Sequence, residues 1–135
     1  MSPGRHVSVA LVRVRYAETD QMGVVYYANY LAWFEVGRSE WLRSLGWTYR
    51  EMEARGGRLP VIEAHCRYRQ SARYDDEIEI RTRGELLSPV RVRFTYDVVR
   101  RADGALVAQG TTVHAATNSL GRPTKLPARV KNLFA

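Results

Sequence analysis

The order of patterns along the chain predicts an α+β domain in which an antiparallel five-stranded sheet wraps around one long central helix. Three observations carry that prediction. Aromatic and aliphatic residues recur at helical spacing through Ala28–Leu45. After Pro60 the pattern changes to runs that alternate apolar and polar residues. Those runs are separated by SARYDD, SP and ADG, all turn chemistry, and the clean alternation of the runs predicts an antiparallel sheet. At 135 residues the chain makes a single domain, 1–135. A domain of that size buries about two-thirds of its unfolded surface and needs no metal or disulfide staple.

The elements follow in order. His6–Tyr16 reads as a strand, with Val7, Val9 and Leu11 on one parity and Val12, Val14 and Tyr16 on the other. The change of parity near Leu11 predicts a bulge. A polar loop, AETDQMG, leads to the helix, where Tyr30, Phe34, Trp41 and Leu45 recur with Leu31 and Leu42. Gly46 is a natural stop for it. Gly37 costs about 1 kcal/mol inside a helix, and so predicts close packing against another backbone. Thr48 and Glu51 form a capping-box pattern for a short helix, Tyr49–Ala54, closed by Gly56 and Gly57. The four strand-like runs are Val61–Gln70, Glu77–Leu87, Val90–Arg101 and Ala105–Thr117. Val90, Val92, Phe94, Tyr96 and Val98 oppose Arg91, Arg93, Thr95 and Asp97, which predicts one dry and one wet face. The expected arrangement is a helix wrapped by a meander, with a last helical turn within Leu126–Phe134.

Composition excludes several classes. The lone Cys66 cannot make an internal disulfide, which points to a reducing cytoplasm. No apolar run approaches the roughly 20 residues of a membrane span, and the N-terminus predicts no signal peptide. The net charge of +7 is carried mostly by arginines interleaved with apolar residues. That pattern suits a solvated strand face first, and an anionic partner second. His6, His65 and His114 lack ligand spacing, so no metal site is expected. Cys66 has no histidine near it and reads as packing. No Gly-X-Ser-X-Gly elbow is present, which excludes that kind of serine hydrolase.

The stretch RVRYAETDQMGVVYYANYLAWFEVGRSEWLR (Arg13–Arg43), supported by ARYDDEIEI (Ala72–Ile80), resembles the 4-hydroxybenzoyl-CoA thioesterase family of acyl-CoA thioesterases, which have the hotdog fold. Together with the element order, the resemblance covers most of the chain. It implies that Asp20 is the catalytic carboxylate and that Tyr27, at the start of the helix, contributes a polarising backbone N–H. It implies substrate contacts along Gly23, Val24, Val25 and Tyr26. Arg91, beside the Ser88-Pro89 turn, falls where the family contacts phosphate, although the family's run of basic side chains is absent. Some relatives carry histidine where Tyr27 stands, so histidine-assisted chemistry and that subgroup's substrates are not carried over. Sites in such folds form between two subunits, implying a homodimer or a dimer of dimers.

The chemistry is consistent on independent grounds. Thioester hydrolysis needs a base or nucleophile and donors for the oxyanion. A carboxylate on a loop supplies the first, and the unpaired amides at a helix mouth supply the second. Gly23 lets the loop turn tightly between them. The competing reading is structural, since Asp is a common turn and cap former. Tyr26 and Tyr27 read as pocket walls or core, Tyr30 as core, and Glu35 with Arg38 as an i,i+3 ion pair. Gly121, Arg122 and Lys125 form a second candidate anion patch. The expected function is hydrolysis of an acyl-CoA to free acid and CoA, without cofactor, nucleic acid or stable membrane insertion. Two rivals are a hydratase or dehydratase of acyl thioesters and a non-catalytic acyl-CoA or nucleic-acid binding module. The first typically wants a histidine at the helix mouth, and none lies between residues 7 and 64.

Overall fold

The computed structural model describes residues 6–134. Strand β1 (Val7–Arg13) leads through a single 3-10 turn at Tyr16–Glu18 to helix α1 (Asn29–Ser44). The short helix α2 (Tyr49–Ala54) follows, then β2 (Val61–Tyr68), β3 (Glu77–Ser88), β4 (Arg91–Arg100), β5 (Leu106–Ala115) and α3 (Ala128–Phe134). The five strands form one antiparallel sheet in the order β1-β3-β4-β5-β2. The α+β class and the long helix are as the sequence predicts, but the meander is shorter. Only β3, β4 and β5 run as consecutive hairpins. The SARYDD segment is a crossover that carries the chain from one edge of the sheet toward the other, because β2 pairs with β5 instead of β3. Ala72, inside that crossover, is fully buried.

The predicted bulge in β1 is absent. Val7 to Arg13 pair with Arg83 to Glu77 without a register shift. Ser8, Ala10 and Val14 are buried, whereas Val7, Val9 and Leu11 face outward. Apolar residues on both faces of an edge strand had produced the false change of parity.

One face of α1 (Tyr30, Trp33, Phe34, Gly37, Trp41, Leu42) is buried against the sheet. Phe34 stacks on Tyr96 with ring centroids 4.2 Å apart, and Trp41 packs edge-on to Phe94 and beside Phe134 of α3. Glycines make this approach possible. A Cβ on Gly37 would overlap Thr82 Oγ1 and come within 2.7 Å of Ile80, so side chains of β3, not a backbone, require that glycine. A Cβ on Gly110 would lie 2.5 Å from the His65 carbonyl oxygen and against the Phe34 ring. Three buried side chains here are bonded in series, whereas the Thr82 hydroxyl has no partner among the described residues. Tyr96 hydroxyl meets Thr112 Oγ1 at 2.6 Å, Thr112 meets His114 Nε2 at 2.8 Å, and His114 Nδ1 meets the Leu59 carbonyl at 2.8 Å.

The two helix ends behave as their sequences predict. Gly46 takes φ +87° after α1, and Thr48 Oγ1 accepts from the Glu51 N–H at 3.1 Å to open α2. The expected Glu35–Arg38 pair does not form among the described residues. Arg43 pairs with Glu40 at 2.9 Å, and Arg38 lies close enough to the Tyr49 and Tyr96 hydroxyls for its charge to oppose the upward push of burial on both.

Candidate active site

The site is built where β1 runs out. The Val14 N–H donates to the Asp76 carbonyl, tying the strand's exit to the crossover. After the 3-10 turn the chain reverses tightly. Thr19 bridges Val25, the Asp20 N–H donates to the Val24 carbonyl at 2.9 Å, and the Gly23 N–H donates to the Asp20 carbonyl at 3.0 Å. Gly23 sits at φ +77°, a conformation that side-chain-bearing residues adopt at a cost. The reversal is anchored by Val25, whose N–H donates to the Ala72 carbonyl at 2.8 Å.

Asp20 serves the turn, as the structural reading expects. Its Oδ1 accepts the Met22 N–H at 2.9 Å, the geometry of an Asx turn. Its Oδ2 accepts no hydrogen bond within the described residues. The half-buried carboxylate therefore has one oxygen held and one available.

Immediately beyond, the helix mouth leaves donors open. The Asn29, Tyr30 and Leu31 N–H groups bond the carbonyls of Tyr26, Tyr27 and Ala28. The Tyr26 N–H bonds the Glu18 carbonyl. Among the described residues, the N–H groups of Tyr27 and Ala28 bond nothing. They stand at the positive end of a 16-residue helix, where a developing anion is favoured. Tyr68, on β2, donates its hydroxyl to the Tyr27 carbonyl at 3.0 Å and so fixes the plane of the Tyr27–Ala28 peptide, which carries the Ala28 N–H. Its phenol is pushed up to about 12, mainly by burial.

Aromatic rings surround the mouth. Tyr26 and Tyr27 are 45% and 60% exposed, with centroids 4.7 Å apart. The Tyr26 phenol is raised, first by the neighbouring Tyr27 hydroxyl and least by the Asp20 charge. Tyr30 is buried against Trp33 and Tyr68, and burial pushes its phenol up to about 12.

The structure thus gathers Asp20, Gly23, Val24, Tyr26 and Tyr27 into one turn and helix mouth. Val25 belongs to the same segment, but its side chain is buried in the core and supports the site from beneath. Arg91 is not gathered. It begins β4, whereas the Asp20 loop lies beside the crossover next to the strand's other end, and ten residues of strand span roughly 30 Å. At the Arg91 end a cavity of about 600 Å³ is lined by Tyr49, Leu59, Pro60, Thr117 and Gly121 among others. Cys66 packs beside the core, where burial raises its thiol. No group of three or more potential metal ligands occurs among the described residues. Tyr68, Glu18 and Asn29 are the participants that sequence reasoning missed. Glu18 and Asn29 stand inside the quoted motif, but a loop acid and a helix-start amide look solvated until their partners are visible.

The sheet order and the single helix laid across it define the hotdog fold. The chain matches the model of the thioesterase-like superfamily over residues 14–134. It is 38% identical over 109 residues to YneP of Bacillus subtilis, whose name marks its acyl-CoA thioesterase activity as an inference, covering 81% of this chain and 78% of that one. It is 32% identical to the acyl-CoA thioesterase YbgC of Haemophilus influenzae, covering 91% and 90%. The crystal structure of the DHNA-CoA thioesterase of Staphylococcus aureus superposes with a TM-score of 0.84 at 33% identity, covering 89% and 80%. The chain belongs to the thioesterase-like superfamily.

Proposed function

We propose that this chain is an acyl-CoA thioesterase that hydrolyses an acyl-CoA to the free acid and CoA, with Asp20 as its catalytic carboxylate. The observation that carries this reading is the pairing, across one short turn, of a carboxylate oxygen and two amides that have no partner among the described residues. The activities named for the relatives support it. With Asp20 as general base, Oδ2 takes a proton from water, and the hydroxide adds to the thioester carbonyl. The oxyanion draws on the Tyr27 N–H, and collapse breaks the C–S bond, the thiolate of CoA taking the proton. With Asp20 as nucleophile, an acyl anhydride forms as CoA leaves, and water then cleaves it. Neither route requires a cofactor. Tyr26 and Tyr27 supply exposed apolar surface to the acyl group.

The reading includes a homodimer, or a dimer of dimers. Strand β2 is an edge on which no residue is fully buried, and such an edge needs a partner or protection. A second copy pairing its own β2 antiparallel would bring its Val61 end beside Tyr68, and with it the Arg91 end and the 600 Å³ cavity toward Asp20. Arg91 would then act on the neighbour's substrate. Sedimentation of a stable monomer at micromolar concentration would overturn this. A cytoplasmic location accords with the lone Cys66. No helix among the described residues is long and apolar enough to cross a membrane. Nucleic acid is disfavoured as partner because Phe94 and Tyr96 are buried instead of offering stacking surfaces.

The decisive experiment measures CoA release from short, long and aromatic acyl-CoAs by wild type and Asp20→Asn. Asn keeps an acceptor for the Met22 N–H, so the turn should survive, while kcat should fall by about 10²–10⁴. A variant that keeps more than roughly a tenth of wild-type kcat would reduce Asp20 to a turn residue, and no turnover of any acyl-CoA by wild type would remove the activity itself.

A further inference from the structure

We propose that Glu18 is a positioning residue for this site, its buried carboxylate holding the Asp20 turn against the mouth of α1 without touching substrate. The inference rests on the catalytic reading of Asp20 given above. Glu18 is only 8% exposed, and a buried carboxylate is tolerated where donors compensate it. Its Oε1 accepts the Arg15 N–H at 2.8 Å and its Oε2 accepts the Trp33 Nε1–H at 3.1 Å. The Arg15 Nε lies 3.5 Å from Oε1. The main chain of the same residue does as much, because its carbonyl accepts the Tyr26 N–H and the Asn29 Nδ2–H, both at 2.9 Å.

The side chain therefore grips the exit of β1 and the second turn of α1. The carbonyl grips the two residues that flank Tyr27 and Ala28, whose amides are open. Asp20 lies two residues further on, and Thr19 between them is bridged to Val25. The distance between the carboxylate of Asp20 and the open amides is thus set through Glu18. The requirement is for two acceptor oxygens. Glutamine offers one, and its amide would meet either the Arg15 or the Trp33 N–H donor to donor. A displacement of about 1 Å between reacting groups costs on the order of 10²-fold in rate, so the loosened turn should be felt in kcat.

The test compares wild type, Glu18→Gln, Trp33→Phe and the double variant by kcat, KM and backbone amide exchange, with Asp20→Asn alongside. Glu18→Gln is expected to lower kcat by about 10–100-fold with KM within about twofold. Exchange at the Asp20 and Tyr26 amides should quicken by about tenfold or more, while the amides of β3 and β4 hold. Trp33→Phe removes the other end of the same bond, so the double variant should be no slower than Glu18→Gln alone. A Glu18→Gln protein with wild-type kcat, unchanged exchange at those two amides, or effects that multiply with Trp33→Phe would each overturn the proposal. Turnover persisting in Asp20→Asn would count against the role of Asp20 alone, and the exchange rates would still decide Glu18. If Glu18→Gln does not fold, Trp33→Phe decides by the same readouts.

Discussion

The sheet-facing side of α1 and its N-terminal mouth are made from the same kinds of residue, and they follow opposite rules. Along the helix body, Phe34, Trp41 and Leu42 are closed off from water, and the glycines leave no room for one more carbon. The Tyr96, Thr112, His114 and Leu59 groups satisfy one another in series. At the mouth, Tyr26 and Tyr27 are exposed, and among the described residues two amides and one carboxylate oxygen have no partner. Buried polar groups go unbonded only at a cost, and this dry network closes on itself, although among the described residues the buried Ser8, Thr82 and Tyr49 hydroxyls have no partner. The mouth keeps its open groups at the surface, where a ligand can reach them. On the catalytic reading proposed for the mouth, the difference separates residues that hold the molecule together from residues that act.

Of three further ways to break the comparison, the largest effect on stability is expected at Gly110. Gly110→Ala places a methyl against the His65 carbonyl and the Phe34 ring, and overpacking of this kind costs about 3 kcal/mol. Denaturant midpoints should fall accordingly, while CoA release per folded molecule stays near wild type. A loss under about 0.5 kcal/mol would show that the interface has slack that the structure does not suggest.

A smaller effect comes from acid. Burial, with the Arg38 charge adding to it, lowers the His114 pKa to about 4, against about 6.5 in an unfolded chain. The folded state therefore keeps the ring neutral while the unfolded state gains a proton below pH 6.5. This contribution is intact above that pH and is lost as pH falls toward 4. The expected loss between pH 7 and pH 5 is about 2 kcal/mol, read from unfolding midpoints. His114→Gln should flatten that part of the slope, and an unchanged slope would assign it to the carboxylates.

The smallest of these three effects is at Tyr68. Tyr68→Phe removes one hydroxyl from the Tyr27 carbonyl, which still accepts the Tyr30 N–H at 3.3 Å. A single such bond is worth about 1 kcal/mol, so kcat should fall about 3–10-fold with little change in stability. A stability loss without a rate effect would move Tyr68 to the other side of the comparison.

Much of this was legible in the sequence, for reasons that can be named. The helix body, the Thr48 cap, the Gly46 stop and the dry face of β4 are local patterns, and local patterns carry their own period. The Asp20 turn was visible because its aspartate, glycine and aromatics are contiguous. The order of the strands was hidden, because SARYDD has turn chemistry whether it closes a hairpin or a crossover. The outward Val7, Val9 and Leu11 misled because an apolar residue does not say which face it occupies. Tyr68 and Glu18 escaped because their partners, Tyr27 and Trp33, lie 41 and 15 residues away.

The separation of β2 from β3 has a consequence for synthesis. Both strands of the N-terminal half pair only with strands of the C-terminal half, β1 with β3 and β2 with β5. A growing chain that has emerged as far as Asp76 therefore has a finished helix sequence, Tyr30 to Leu42 and all, and no sheet ladder to receive it. The first pairing open to it is β1 with β3, across some 70 residues of chain, and the last is β2 with β5. Non-local pairing of this kind is slow and leaves apolar surface bare while it waits. By this order of emergence, the aromatic face of α1 would stay largely uncovered until β3 is made, a surface open to a chaperone in the meantime.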